Sequence, residues 1–109
     1  MSALYKMTYA GISDVGAGVL YIGNGKIVGI DVGDMRYSGT YTDLNGSIDA
    51  TVKLSAPTGG TLVTGQQLPA GTILELKAKW PSNFANGQPQ PITVAGRPVQ
   101  VVLEKIDNI

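Results

Sequence analysis

Three sets of residues in this 109-residue chain have types and spacings that invite a chemical reading. Gly16-Ala17-Gly18 looks like the opening of a phosphate-cradling loop, where close-set glycines let backbone N–H groups approach an anion. Such a loop needs a third spaced glycine and a helix starting there. A Val19-Leu20-Tyr21-Ile22 run follows instead, so turn glycines are the simpler reading. Asp31, Asp34 and Asp43 are carboxylates of the kind that hold a hard cation. Their spacing matches no loop in which alternate residues supply oxygens, which favours turn positions and solvated side chains. Tyr5, Tyr9, Tyr37 and Tyr41, with Trp80, make the third set. Pointing into a barrel, these rings would either line a pocket for a small apolar ligand or fill the interior, and filling is the simpler expectation.

Much other chemistry is excluded by composition. The chain has no cysteine and no histidine, which removes disulfides, thiolate and imidazole metal sites, and the commonest general base. Glu75 and Glu104 fall on outward strand positions rather than across a cleft, and the many Ser and Thr residues have no basic partner set by spacing. The expectation is a protein that is not an enzyme and uses no metal or cofactor. Lys plus Arg equals Asp plus Glu at eight each, so no electrostatic footprint for nucleic acid or an anionic membrane exists. Charge does not oppose self-association either. The first residues lack the apolar core of a signal peptide, and no apolar run approaches membrane-spanning length, so the expected location is the cytoplasm.

The elements that position these residues are strands. Asn24-Gly25 separates two β-branched, apolar runs, Val19–Ile22 and Ile27–Val32, and Asn-Gly is the pair a type I′ hairpin turn prefers. Gly33-Asp34-Met35 turns the chain into Arg36–Thr42, and Asn45-Gly46 turns it again into Ser47–Ser55. That last run has the cleanest alternation: Ile48, Ala50, Val52 and Leu54 on one side; Asp49, Thr51, Lys53 and Ser55 on the other. Before the meander, Tyr5, Met7 and Tyr9 share one face of Leu4–Ser13, with Lys6 and Thr8 opposite. Within it, both faces of Val19–Ile22 are partly apolar. In the following strand Val28, Ile30 and Val32 make an apolar face opposite Ile27, Gly29 and Asp31. Tyr37, Gly39 and Tyr41 align in the next, where the glycine marks a bend or gives the rings room.

Thr61–Gly65 reads as a short strand and Gln66–Gly71 as loop. Thr72–Trp80 is a strand with Leu74, Leu76, Ala78 and Trp80 on one face. The proline-rich stretch Pro81–Pro98 is expected to be a long surface excursion with a few extended residues at Ile92–Val94. Val99–Ile106 closes the chain, with Val99, Val101 and Leu103 inward. The pattern predicts one all-β domain over residues 1–109, a small antiparallel up-and-down β-barrel of about eight strands, in preference to a two-sheet sandwich. Leu20, Val102 and Ile106 are expected on the outer face as a patch for self-association.

Tyr5, Gly16-Ala17-Gly18-Val19-Leu20, Asn24-Gly25, Gly29-Ile30-Asp31 and Tyr37-Ser38-Gly39 recur in an order that resembles the GrlR family, small negative regulators first described for bacterial type III secretion. The likeness covers about the first half of the chain and consists largely of glycines. It implies a lipocalin-like antiparallel barrel, a homodimer, and inhibition by binding a transcriptional activator rather than DNA. In the characterised member an acidic surface loop is implicated in gripping that activator. The matching residues are Thr42-Asp43-Leu44-Asn45-Gly46, with one carboxylate; Asp43, Leu44 and Asn45 are thus a candidate protein-binding loop, and equally read as a plain hairpin turn. Two functions are carried forward: a non-enzymatic regulatory or protein-interaction module, and a carrier of a small hydrophobic ligand in the barrel.

Overall fold

The computed structural model of the chain describes residues 2–109. Its strands are β1 (Ser2–Ala10), β2 (Val15–Gly23), β3 (Lys26–Asp31), β4 (Arg36–Leu44), β5 (Ser47–Ala56), β6 (Gly60–Thr61), β7 (Gln67–Leu68), β8 (Thr72–Pro81), β9 (Gln90–Val94) and β10 (Arg97–Asn108). Eight of them form one antiparallel sheet in the order β8-β5-β4-β3-β2-β1-β10-β9, while β6 and β7 pair only with each other. The meander runs as the turn residues predict. Asn24-Gly25 and Asn45-Gly46 both take the positive φ values that a type I′ turn requires. Among the described residues there is no helix, so none is long and apolar enough to cross a membrane.

The sheet curls until β9 lies back alongside β8, leaving a barrel that is nearly closed. Proline explains the seam. In a strand the N–H and C=O of one residue point to the same side. The Pro91 carbonyl accepts a hydrogen bond from the Trp80 indole Nε1 on β8 at 3.0 Å, so its nitrogen faces the same seam, and proline has no hydrogen there to donate. A side-chain donor takes the place of a ladder bond.

Ile48, Ala50 and Leu54 of β5, Leu76 of β8, and Val99, Val101 and Leu103 of β10 are buried as their alternation predicts. Two segments depart from expectation. β2 begins at Val15, so Gly16-Ala17-Gly18 lies inside a strand and forms neither a turn nor a phosphate loop. The Pro81–Pro98 stretch is also not wholly on the surface. Phe84 is only 2% exposed, packed against Tyr5 (centroids 5.5 Å apart) and Trp80 (6.0 Å), and it closes one end of the barrel. Its loop is fastened to the β4–β5 turn, where the Ser82 N–H donates to the Gly46 carbonyl and the Ser82 hydroxyl donates to Asp43 Oδ1 at 2.9 Å.

The opposite end is covered by the β5–β8 connection, which contains the β6–β7 hairpin. Its residues Leu62, Thr64 and Leu68 are buried, and the Val63 carbonyl accepts hydrogen bonds from Ser13 N and Asp14 N in the β1–β2 loop.

Candidate functional site

The site is built from an inversion in β3. Its apolar face (Val28, Ile30) and the following Val32 point outward and are exposed, and the opposite column, Ile27, Gly29 and Asp31, points into the barrel. The turn decides this. A two-residue connection at Asn24-Gly25 pairs Ile22 with Ile27, and residues paired across strands share a face. With Ile22 inside, Ile27 is inside, and Asp31 follows four residues later. Asp31 is therefore a buried residue rather than the solvated carboxylate its turn-like neighbourhood suggests.

Burying a carboxylate is costly unless its oxygens find donors. Asp31 has four. Oδ1 accepts the backbone N–H groups of Gly33 (2.9 Å) and Met35 (3.1 Å), so the β3–β4 loop is wound around it. Oδ2 accepts the hydroxyls of Tyr9 and Tyr37, both at 2.7 Å. Tyr9 is on β1, two strands away and about 9–10 Å across at ordinary strand spacing. The gap is crossed because β2 has no side chains there. A Cβ at Gly16 would lie 2.5 Å from Tyr9 Oη, and one at Gly18 only 2.8 Å from the Asp31 Cα. The glycines of Gly16-Ala17-Gly18 are room for a tyrosine ring and an aspartate. Burial first, and donation to Asp31 second, push the Tyr9 and Tyr37 hydroxyls well above the ordinary tyrosine range, so both stay protonated as donors.

Beside this cluster the barrel holds a cavity of about 280 Å³. Met7, Leu20, Ile27, Leu54, Leu76 and Val101 are among its lining, most of which is apolar. Its rim includes Val15 and Val32, which are 71% and 82% exposed, so it opens between the β1–β2 and β3–β4 loops. Among the described residues of the lining, Asp14 and Asp31 are the only acidic ones, and there is no Lys or Arg. Thr64, on the covering hairpin, also lines the cavity. It is 2% exposed, and its Oγ1 has no hydrogen-bond partner among the described residues.

Of the five rings expected to face inward, Tyr9, Tyr37 and Trp80 line this cavity. Tyr5 is packed on Phe84 instead, and neither Tyr5 nor Tyr41 is part of the lining. The expected outer patch loses Leu20 to the interior, while Ile106 is exposed as expected. Leu20 is 7% exposed and faces the core, on the same column as Gly16, Gly18 and Ile22. Val102 is half-buried opposite Thr8, and Ile106 is the extra residue of a bulge between the pairs Leu4–Asp107 and Tyr5–Lys105. A further outer apolar row is made by Val19 and Ile30, paired across β2 and β3, with Val28 opposite Tyr21. Asp43, Leu44 and Asn45 lead into a tight turn at which Asn45 has φ 55°. The three aspartates weighed as cation ligands do not converge: Asp34 pairs with Arg36 at 3.5 Å and Asp43 with Ser82.

No protein-family model matches the chain, and no curated protein or solved structure matches it significantly.

Proposed function

We propose that this chain is a binding module whose barrel takes up one small, mainly apolar molecule. The observation that carries the reading is the cavity of about 280 Å³ inside a barrel of only 109 residues. Protein interiors are otherwise packed to crystal density, with few voids larger than a water molecule. An apolar cavity of about 150 Å³ is enough to hold benzene, so this one has room for a body of about two such rings. Phe84 covers one end and the β6–β7 hairpin lies over the other, and the rim beside Val15 and Val32 is left as the way in for a guest. Methyl-resolved NMR tests the reading with naphthalene as probe. Saturable shifts at Met7, Leu20, Ile27 and Leu54 are expected; shifts confined to the outer valines, or none, would overturn it.

A second reading, the regulatory or protein-interaction module, draws on the outer face of β2 and β3. Val19, Val28 and Ile30 are exposed side by side there. The row is flanked by the Lys6–Glu104 pair on one side and the Arg36–Asp34 pair on the other. A second copy of this chain is the occupant proposed, as the family likeness implies. Inhibition of a transcriptional activator draws only on the family likeness. Light scattering of wild type and Ile30→Lys tests the dimer: a wild-type dimer that the variant dissociates is expected, and a wild-type monomer at high concentration removes the reading.

A further inference from the structure

We infer that the molecule held in the barrel carries a cationic, hydrogen-bond-donating head, such as a protonated amine, and that the barrel discriminates against carboxylates of the same size. The inference rests on the proposed binding of an apolar guest and concerns the end of the cavity at which the guest's polar atom would lie. Among the described residues of the lining, Asp14 and Asp31 are the only acidic ones, and no Lys or Arg is there to offset them. A cavity with low-dielectric walls concentrates such a field instead of screening it.

Hydrogen-bond stoichiometry points the same way. Tyr9 and Tyr37 each have a single hydroxyl proton, and both are committed to Asp31 Oδ2. What remains free on those hydroxyls is acceptor capacity. Asp31 itself already receives donors on both oxygens, so it needs nothing from a guest and contributes its charge. Asp14 uses Oδ1 to accept its neighbour's Val15 N–H, at 2.8 Å. The polar end thus offers lone pairs and negative charge, which an ammonium with three donors can use and a carboxylate cannot.

Thr64 is the independent sign that something belongs there. Its hydroxyl is sealed from solvent on the covering hairpin, among the cavity-lining residues, without a hydrogen-bond partner among the described residues. A buried hydroxyl left unpaired is destabilising, and a polar head group reaching the hairpin supplies a partner for it.

The test is calorimetric titration of the full chain at neutral pH with three probes that share one apolar chain: octylamine, 1-octanol and octanoate. Octylamine is expected to bind at least tenfold more tightly than octanoate, with octanol between them. Asp14→Asn, an exposed rim position, is expected to narrow the amine-to-acid ratio, and Thr64→Val to weaken all three probes. Octanoate binding as tightly as octylamine, or octanol matching it, overturns the cationic head while leaving the apolar-guest reading intact. Failure of all three probes to bind, together with naphthalene, overturns both.

Discussion

Replacing Tyr37 with phenylalanine removes one atom from the interior and isolates what the Asp31 cluster contributes. The ring keeps its packing; Asp31 Oδ2 loses one of two donors, each now at 2.7 Å. A hydrogen bond to a charged group is worth roughly 1.5–3 kcal/mol, so Tyr37→Phe is expected to destabilise by about 2 kcal/mol. Tyr9→Phe falls in the same range. The informative variant is the double one. After either single change the remaining hydroxyl still serves Oδ2, and its bond strengthens. After both, a buried charged oxygen has no donor, and the loss exceeds the sum of the singles by about 0.5–3 kcal/mol. Urea unfolding at constant slope reads these differences directly. In a domain of this size each kcal/mol moves Tm by roughly 4–8 °C, so Tyr37→Phe alone lowers it by about ten degrees. Should Tyr37→Phe stay within about 0.5 kcal/mol of wild type, water solvates the carboxylate through the rim, and the buried-cluster account is wrong.

Two further outcomes follow from the same geometry. Tyr9 and Tyr37 bind their protons more tightly folded than unfolded, where the ordinary pKa is 10.0. Their contribution is whole below pH 10 and is lost as pH rises beyond it, so the urea midpoint is expected to be flat from about pH 7 to 9 and to fall above about pH 10. A Tyr9→Phe/Tyr37→Phe double variant with an equally steep alkaline fall would assign that fall elsewhere. At the β9–β10 turn, Ala95 sits at φ 49° ahead of Gly96, a left-handed position that costs an alanine about 1–2 kcal/mol and that Asn tolerates. Ala95→Asn is expected to stabilise by about 0.5–1 kcal/mol in a thermal scan, and a lower Tm contradicts the strain.

Most of the barrel was legible because its turns and its best-patterned strand say the same thing. Asn24-Gly25 and Asn45-Gly46 fix two hairpins, and the alternation of Ser47–Ser55 fixes which side is inside. Carrying that side across the turns would also have exposed the site. Ala50 pairs with Tyr41 and Leu54 with Tyr37, which puts the β4 rings inside, and Tyr37 in turn pairs with Gly29. Reading β3 strand by strand, by the greasier of its two faces, instead places Val28 and Ile30 inward and Asp31 outward. Hydrophobicity loses here to register, because a two-residue turn leaves no freedom to slip. Phe84 escaped for a different reason. It is a lone aromatic in a stretch of prolines and polar residues with no period, and nothing local shows that its loop folds over a barrel end. Thr64 and the cavity depend on how the β6–β7 hairpin folds back, which spacing does not encode.

The glycines and the aspartate make sense only together. An inward Asp31 is no route to stability as such, since replacing a buried charged cluster with well-packed apolar side chains is commonly neutral or stabilising. Here the cluster also removes packing: Gly16 and Gly18 leave β2 bare so that Tyr9 can reach across it. Four strands and a loop thereby give up apolar contact at one end of the barrel to fix two tyrosines in one orientation, protons inward to the carboxylate. The result is a rigid polar surface of known hand, acceptors free and donors spent, set against an apolar cavity with an open rim. Stability alone does not select such an arrangement, whereas orientation of a guest with one polar end does, because groups fixed in advance lose little entropy on binding. By that reasoning Gly16→Val, which forces Tyr9 off Asp31, is expected to weaken octylamine binding more than naphthalene binding.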